Sequence, residues 1–167
     1  MLLSSYAGRH ESRLSILALL GFDHIGGLNT LLGAMASGAL LVIPASRAPA
    51  DVAAAISRHR VAVLPASPTF LNLFLAAGVT EQLATLRVIT YGTEPMPESL
   101  LARLKTTFPR VRFIQTFGTS ETGITRTESP TADSTFFRFD DPGLEWKVVE
   151  DELWLRSRTQ IAGYLNA

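Results

Sequence analysis

The sequence predicts an α/β fold, a parallel sheet flanked by helices on both faces through βαβ repeats, followed by a short antiparallel β extension. Up to residue 125, short β-branched apolar runs alternate with amphipathic stretches at helical spacing, the pattern of βαβ units. Beyond that residue, apolar positions alternate as they do in antiparallel strands. Right-handed crossovers between successive strands would make the first sheet parallel and cover both of its faces with helices.

Five strands are predicted for the parallel sheet, each short and mostly apolar. Such runs are expected where helices cover both faces, because neither side of the strand then meets water. The predicted strands span residues 14–20, 39–43, 61–64, 86–91 and 111–116.

Four helices are predicted between these strands, over residues 28–38, 51–59, 67–78 and 97–108. A turn at Gly26 and Gly27 precedes the first helix. Asp51 is predicted to be the N-cap of the second helix, because its carboxylate can accept a hydrogen bond from an unpaired backbone N–H. Pro68 suits the first turn of the third helix, and Gly78 suits its end.

The chain is predicted to divide near residue 125. Residues 1–125 would form an α/β subdomain. Residues 126–135 are polar and turn-prone, and apolar positions then alternate around residues 137–139, 146–149 and 153–155. We therefore expect residues 126–167 to be the start of a small β subdomain, truncated at Ala167.

Fifteen basic and fifteen acidic residues balance in the 167-residue chain, which contains no cysteine. Because the chain carries no net charge, no nucleic-acid partner is expected, and a nucleotide would need a local binding site. The lack of cysteine excludes disulfides, thiolate catalysis and cysteine-based zinc sites. No apolar run reaches the roughly 20 residues that span a bilayer, and a signal-peptide pattern is absent, so we expect no membrane span and a cytoplasmic protein.

Polar or glycine-containing segments follow four of the predicted strands. Ligands of a parallel sheet bind outside the carboxyl ends of the strands, so these segments are expected to share one edge. They span residues 22–27, 65–68, 91–95 and 115–123.

Residues 115–123 offer the groups that a nucleotide and its metal would need. Phe117 presents a flat face for a purine, and Gly118 allows a ligand to approach the backbone. The hydroxyl and amide groups of Thr119 and Ser120 could hold a phosphate. Glu121 supplies a hard carboxylate oxygen of the kind that Mg²⁺ binds beside nucleotide phosphates.

Each of these residues, taken singly, also has a plainer interpretation. Runs of serine, threonine and glycine are usually turns. His24 alone fits a core or surface histidine, and Glu94 alone fits an ordinary loop acid. The combination of segments at one edge is what favours a binding site.

Several motifs, in this order, resemble those of the adenylate-forming superfamily of acyl-CoA synthetases, peptide-synthetase adenylation domains and luciferases. Residues 115–122, with the sequence QTFGTSET, resemble its Q-G-Y-G-x-T-E segment. Residues 22–27 resemble its aromatic-x-His-x-x-Gly loop, and residues 92–95 resemble its G-G-x-P adenine loop. Residues 152–157 and 163–166 resemble its G-E-(apolar)-x-(apolar)-R stretch and its G-Y-x-N motif. The resemblance covers nearly the whole chain and corresponds to the central part of the large N-terminal domain.

The resemblance implies ATP-dependent activation of a carboxylic acid. The carboxylate attacks the α-phosphorus of ATP and gives an acyl-adenylate and pyrophosphate, usually followed by transfer to the thiol of CoA or of a carrier-protein phosphopantetheine. It implies catalytic roles for His24, Ser120 and Glu121, with Glu121 also holding Mg²⁺. The residues implied to bind ATP or AMP are Gly92, Thr93, Glu94, Pro95, Gln115, Thr116, Phe117, Gly118, Thr119 and Ser120. Those expected around the acyl group are His24, Gly27, Leu28, Ser67, Thr69 and Thr116.

Other parts of the superfamily pattern are not found in these 167 residues. They are the T-S-G-T-T-G-x-P-K phosphate loop, the T-G-D motif, and a C-terminal domain with a catalytic lysine. We therefore expect a fragment of an acyl-CoA or acyl-carrier-protein synthetase, inactive alone, whose partners are a small carboxylic acid and the N- and C-terminal segments of the same enzyme. The alternative is a non-catalytic remnant or module that binds nucleotide or acyl group, or packs against a partner chain. An unrelated flavodoxin-like domain would require the motifs to agree by chance.

Overall fold

The computed structural model describes residues 14–132 and 134–165. Within those residues, five parallel strands form one sheet in the order β2-β1-β3-β4-β5. The strands are β1 (Ser15–Leu17), β2 (Leu40–Val42), β3 (Val63–Ala66), β4 (Val88–Tyr91) and β5 (Arg112–Gln115). Each is shorter than or shifted from its predicted range, and β3 begins and ends two residues later than predicted.

Helices cover both faces of this sheet, as the sequence predicts. They are α1 (Ile25–Ser37), α2 (Pro49–His59), α3 (Pro68–Ala77) and α4 (Glu98–Thr107), with a short 3₁₀ helix at Thr80–Leu83. The larger core cluster joins α2, α3 and α4 to one face, through residues such as Ile56, Phe74 and Leu104. The smaller cluster joins Ala34 of α1 to Ile16 on the opposite face.

Two helix starts differ from the prediction, and both differences have a local cause. Helix α1 begins three residues earlier than predicted because the side chain of His24 acts as its N-cap. The N-cap of α2 is Ala48, so the prediction for Asp51 is wrong. Pro49 needs no cap for its missing N–H, and Asp51 in the first turn instead accepts a hydrogen bond at 2.5 Å from the Oγ of Ser46, which precedes the helix.

Helix α3 follows the prediction closely. Ser67 is its N-cap and accepts from the backbone N–H of Phe70, with a distance of 3.2 Å. Gly78 ends it in the left-handed conformation, at φ 66°, which glycine adopts without steric cost.

After β5, the described chain forms three antiparallel strand pairs. They are β6 (Phe117–Thr119) with β7 (Gly123–Thr125), β8 (Thr127–Glu128) with β9 (Arg138–Phe139), and β10 (Leu144–Val149) with β11 (Glu152–Ser157). The predicted antiparallel extension is confirmed, but pairing starts earlier than expected, because residues 117–125 form a hairpin. The division of the chain at residue 125 stays a prediction. None of the helices in the described ranges is long and apolar enough to cross a membrane.

Candidate functional site

Four segments that follow sheet strands lie at the same edge, because β1, β3, β4 and β5 are parallel and adjacent. Among the described residues, several cavities open there, and two of them border His24. The α1 cavity, about 200 Å³, lies between α1, the sheet and the β6–β7 hairpin. Its lining is Ile16, Leu20, His24, Ile25, Gly26, Asn29, Thr30, Val63, Pro65, Ala66, Thr90, Gly92, Thr93, Thr116, Gly118 and Ile124.

The second cavity, which we name the α3 cavity, has a volume of about 390 Å³ and lies near the start of α3. It is lined by Leu19, Leu20, Gly21, Asp23, His24, Arg47, Ser67, Phe70 and Thr93. Leu20, His24 and Thr93 border both cavities. The two cavities are therefore neighbours that share a wall.

His24 is held in place by the helix that it caps. Its Nδ1 accepts a hydrogen bond from the backbone N–H of Gly26 at 3.0 Å. An accepting Nδ1 carries no proton, so the neutral ring has its proton on Nε2. That N–H is the group with which His24 could donate to a carboxylate in either cavity.

The ends of β4 and β5 are joined through Thr116. Its backbone N–H and its Oγ1 both donate to the carbonyl oxygen of Tyr91, at 2.8 and 3.1 Å. Gly92 follows directly, and a Cβ at that position would stand 2.6 Å from the Thr116 carbonyl oxygen. Glycine is therefore required at residue 92 by close backbone packing, and the two predicted nucleotide segments are in contact.

The turn between β6 and β7 carries the residues predicted to meet phosphate and metal. Thr119 Oγ1 accepts from the backbone N–H of Thr122 at 3.1 Å, so this hydroxyl fixes the turn. The side chain of Ser120 is exposed and has no hydrogen-bond partner within residues 14–132 and 134–165. The Tyr164 hydroxyl donates to Glu121 Oε1. This hydrogen bond lowers the pKa of Glu121, with a smaller contribution from Thr119, so its carboxylate is ionised at neutral pH.

Gln115 ends β5 and Phe117 begins β6, on either side of Thr116, and neither residue lines either cavity. The Oε1 atom of Gln115 is buried and has no hydrogen-bond partner in the described part of the chain. Buried acceptors are rarely left unpaired, and leaving one so costs free energy. The Phe117 ring already contacts Phe137 and Phe139, with centroids 5.7 and 5.4 Å apart. These contacts fix the orientation of the ring.

Glu94 contacts protein rather than either cavity. Its Oε1 accepts from the backbone N–H of Thr69 at 2.6 Å. This hydrogen bond is the main cause of the lowered pKa of Glu94. Neither Glu94 nor Pro95 lines either cavity, so the nucleotide contact predicted for residues 92–95 rests on Gly92 and Thr93.

The residues predicted around the acyl group are only partly brought together. His24 and Thr116 line the α1 cavity, and Ser67 lines the α3 cavity. Gly27 packs against backbone, where a Cβ would stand 2.0 Å from the Gly21 carbonyl oxygen. Leu28 is 40% exposed, and neither it nor Thr69 lines either cavity.

Five polar residues that line the cavities had no predicted role, namely Asn29, Thr30 and Thr90 in the α1 cavity and Asp23 and Arg47 in the α3 cavity. Asn29 lines the α1 cavity one helical turn after Ile25. The predicted helix starts at residue 28, so it does not place Asn29 on the same face as Ile25. Asp23 and Arg47 line the α3 cavity. Arg47 lies on the loop after β2, which the sequence offered no reason to place beside the β1 loop.

The fit of Mg²⁺ to this site depends on Glu121. The described residues contain no group of three or more histidine, cysteine, aspartate or glutamate side chains that could hold a metal by themselves. Mg²⁺ bound with nucleotides often takes only one or two protein carboxylates and completes its shell with phosphate oxygens and water. The ionised Glu121 carboxylate, beside the exposed Ser120, fits that kind of site.

Comparisons with known proteins agree with the motifs. The family model described as "AMP-binding enzyme" matches residues 2–165. The chain is 26% identical over 185 residues to 4-coumarate–CoA ligase-like 3 of Oryza sativa subsp. japonica, covering 98% of this chain and 31% of the relative. It is 32% identical over 111 residues to 4-coumarate–CoA ligase 4 of Arabidopsis thaliana, covering 65% and 20%.

The fold of the chain also matches that of a solved structure. A crystal structure from Rhodopseudomonas palustris, provisionally described as a long-chain-fatty-acid CoA ligase, matches with a TM-score of 0.73 and 28% identity, covering 99% of this chain and 44% of the other. The chain thus spans about a third or less of the length of the curated relatives cited. The match of the family model over residues 2–165, together with the strand-edge motifs, shows that this chain belongs to the AMP-binding enzyme family.

Proposed function

We propose that these residues form the adenine and acid-binding part of an AMP-forming acid–thiol ligase. The observation that carries the proposal is the buried, unpaired Oε1 of Gln115, which lines neither cavity but precedes Thr116 in the wall of the α1 cavity. The exocyclic amine of adenine is a donor that would satisfy this acceptor, while Phe117 offers a ring face and Gly92 a backbone edge. ATP or AMP therefore suits the site better than an apolar ligand does.

The proposed reaction joins the carboxylate of an acid to the α-phosphorus of ATP and releases pyrophosphate. The Nε2–H of His24 would orient the attacking carboxylate, and Ser120 would donate to an α-phosphate oxygen. Mg²⁺, held by Glu121 and phosphate oxygens, would supply positive charge against the developing negative charge. Holding both reactants at one edge lowers the entropic barrier to attack. The thiol of CoA or of carrier-protein phosphopantetheine would then displace AMP in the cytoplasm.

The α1 cavity favours a compact acid. Its volume of about 200 Å³ is below the roughly 300–1,000 Å³ of common ligand pockets. Its aliphatic lining includes Leu20, Val63 and Ile124. An aryl acid such as 4-coumarate, which the names of the plant relatives mention, is therefore the first acid to test.

Pyrophosphate release tests this function. We expect the 167-residue chain alone, with ATP, Mg²⁺ and a panel of aryl and fatty acids, to release no more pyrophosphate than its Glu121→Ala variant. Adding a polypeptide that bears the phosphate loop and C-terminal domain of a relative should restore pyrophosphate release by the native chain but not by the Glu121→Ala variant. Release by the chain alone would show that the expected inactivity is wrong. No restoration, with no nucleotide binding, would show that the proposed function is wrong.

A second candidate function, packing against a partner chain, is favoured by the outer face of α1. Leu28, Leu32 and Met35 lie at helical spacing on that face and are 40, 52 and 71% exposed. Exposed apolar stripes of this kind commonly mark contact surfaces. Substituting Leu32 and Met35 with serine should abolish complementation without changing AMP binding if this surface is needed for assembly. Unchanged complementation would exclude that role.

A further inference from the structure

The first turn of α3 is held by two side chains, one local and one distant. Ser67 Oγ accepts from the N–H of Phe70 at 3.2 Å. Glu94, 25 residues away in sequence, accepts from the N–H of Thr69 at 2.6 Å. The N–H groups of a first helical turn have no partner within the helix, and a charged acceptor binds them strongly. Glu94 therefore fixes the segment after β4 to the start of α3.

Thr93, the residue before Glu94, has an unusual backbone conformation. Its φ is 72°, in the left-handed region. A β-branched residue is rarely found there and stays there only when its surroundings hold it. Both neighbours of Thr93 are fixed: Gly92 packs against the Thr116 carbonyl, and Glu94 binds the N–H of Thr69. These two anchors account for the conformation of Thr93.

Thr93 borders both the α1 cavity and the α3 cavity. A change in its backbone would therefore alter the wall that the two cavities share. Glu94 itself lines neither cavity, so its effect on a ligand would be indirect.

We propose that Glu94 is a positioning residue, which binds the start of α3 and thereby holds Thr93 in the left-handed conformation that shapes both cavities. The effect on ligand affinity rests on the proposed function, whereas the effect on Thr93 does not. Affinity for an adenine nucleotide should therefore depend on a carboxylate that does not touch the nucleotide.

The first experiment needs no ligand. In Glu94→Ala, the Thr69 amide should exchange its hydrogen about tenfold faster or more, as expected for the loss of a hydrogen bond to a charged group. The ³J(HN,Hα) coupling of Thr93, which reports φ, should change in the same variant. Glu98→Ala, which removes an exposed acid in the first turn of α4, is the matched control and should change neither value. An unchanged Thr93 coupling in Glu94→Ala would overturn the proposal, whatever the chain binds.

The second experiment measures the dissociation constant for AMP by calorimetry. Glu94→Ala should weaken AMP binding about tenfold, and Glu94→Gln, which keeps an oxygen acceptor, should weaken it less. Asparagine tolerates the left-handed region better than threonine, so in a Thr93→Asn background the loss caused by Glu94→Ala should be smaller. Equal losses in both backgrounds, or no loss at all, would show that Glu94 serves only as a helix cap. Absence of AMP binding by the native chain would contradict the proposed function and leave the first experiment decisive.

Discussion

The hydroxyl group of Tyr164 donates a hydrogen bond to the carboxylate of Glu121, a residue 43 positions earlier in the chain. Two further contacts accompany it. The N–H of Ile161 donates to the Glu121 carbonyl at 2.9 Å, and Thr159 Oγ1 donates to the Thr122 carbonyl at 3.0 Å. The chain after β11 therefore holds the β6–β7 turn in place and orients the carboxylate that we propose as the Mg²⁺ ligand.

Replacing Tyr164 by phenylalanine should raise the pKa of the Glu121 carboxyl toward its ordinary value. The hydrogen bond favours the ionised carboxylate and is the main cause of the lowered pKa. A pH titration of the Glu121 side-chain carboxyl by NMR measures this, with Glu152 in the same spectra as an internal reference. An identical titration midpoint in both proteins would show that the hydrogen bond does not form in solution.

The same contact should make the stability difference between the two proteins depend on pH. A carboxyl whose pKa is lowered by folding contributes stability above its unfolded-state pKa. That contribution is lost as pH falls through the folded-state pKa. Denaturation of the native chain and of Tyr164→Phe should therefore differ at neutral pH and converge in acid. A difference that persists unchanged below the pH range in which carboxyl groups titrate would point to lost packing of the hydroxyl group instead.

Substituting Gly27 with alanine should destabilise the fold by about 1–3 kcal/mol or more, as overpacking does. The added Cβ would stand 2.0 Å from the Gly21 carbonyl oxygen and 2.6 Å from that of Leu20, and backbone atoms cannot move aside cheaply. Urea denaturation measures the loss. Gly143→Ala is the control, since its closest contact there would be the Asp141 side chain at 3.3 Å. Equal stability of the two variants would contradict the close approach of α1 to the β1 loop.

Truncating Phe74 to alanine should cost about 3–5 kcal/mol of unfolding free energy, the range for a buried phenylalanine. Phe74 is 1% exposed, in the core shared by α2, α3 and α4. The preceding residue, Leu73, is 45% exposed, so Leu73→Ala should cost much less. Similar losses from the two substitutions would mean that α3 presents a different face to the sheet.

The order of strands and helices could be predicted because apolar periodicity and turn residues are local signals. Helix α3 shows this best, with Ser67 before Pro68 at its start and Gly78 at its end. The start of α1 was missed because histidine is an uncommon N-cap. The sequence predicts a loop where the β6–β7 hairpin forms, because its threonines and glycines are typical of turns.

The site could be predicted only as far as its segments share a sheet edge. His24, Gly92 and Thr116 line one cavity because the strands before them are parallel. Contacts between distant segments could not be predicted from local patterns. The Glu94–Thr69 and Tyr164–Glu121 hydrogen bonds depend on loop paths, and so does the approach of Arg47 to the α3 cavity.

The most direct test of the proposed nucleotide site is calorimetric titration of AMP into the native chain and into Gln115→Leu, with thermal unfolding of both. Replacing a buried, unpaired acceptor by an apolar group of similar size should leave stability equal or higher. The same substitution should weaken AMP binding about tenfold, because adenine loses its acceptor. Saturable binding by the native chain, with weaker binding but no loss of stability in the variant, is the result we predict. No saturable binding, or equal affinity in the two proteins, would contradict the assignment of this strand edge to adenine.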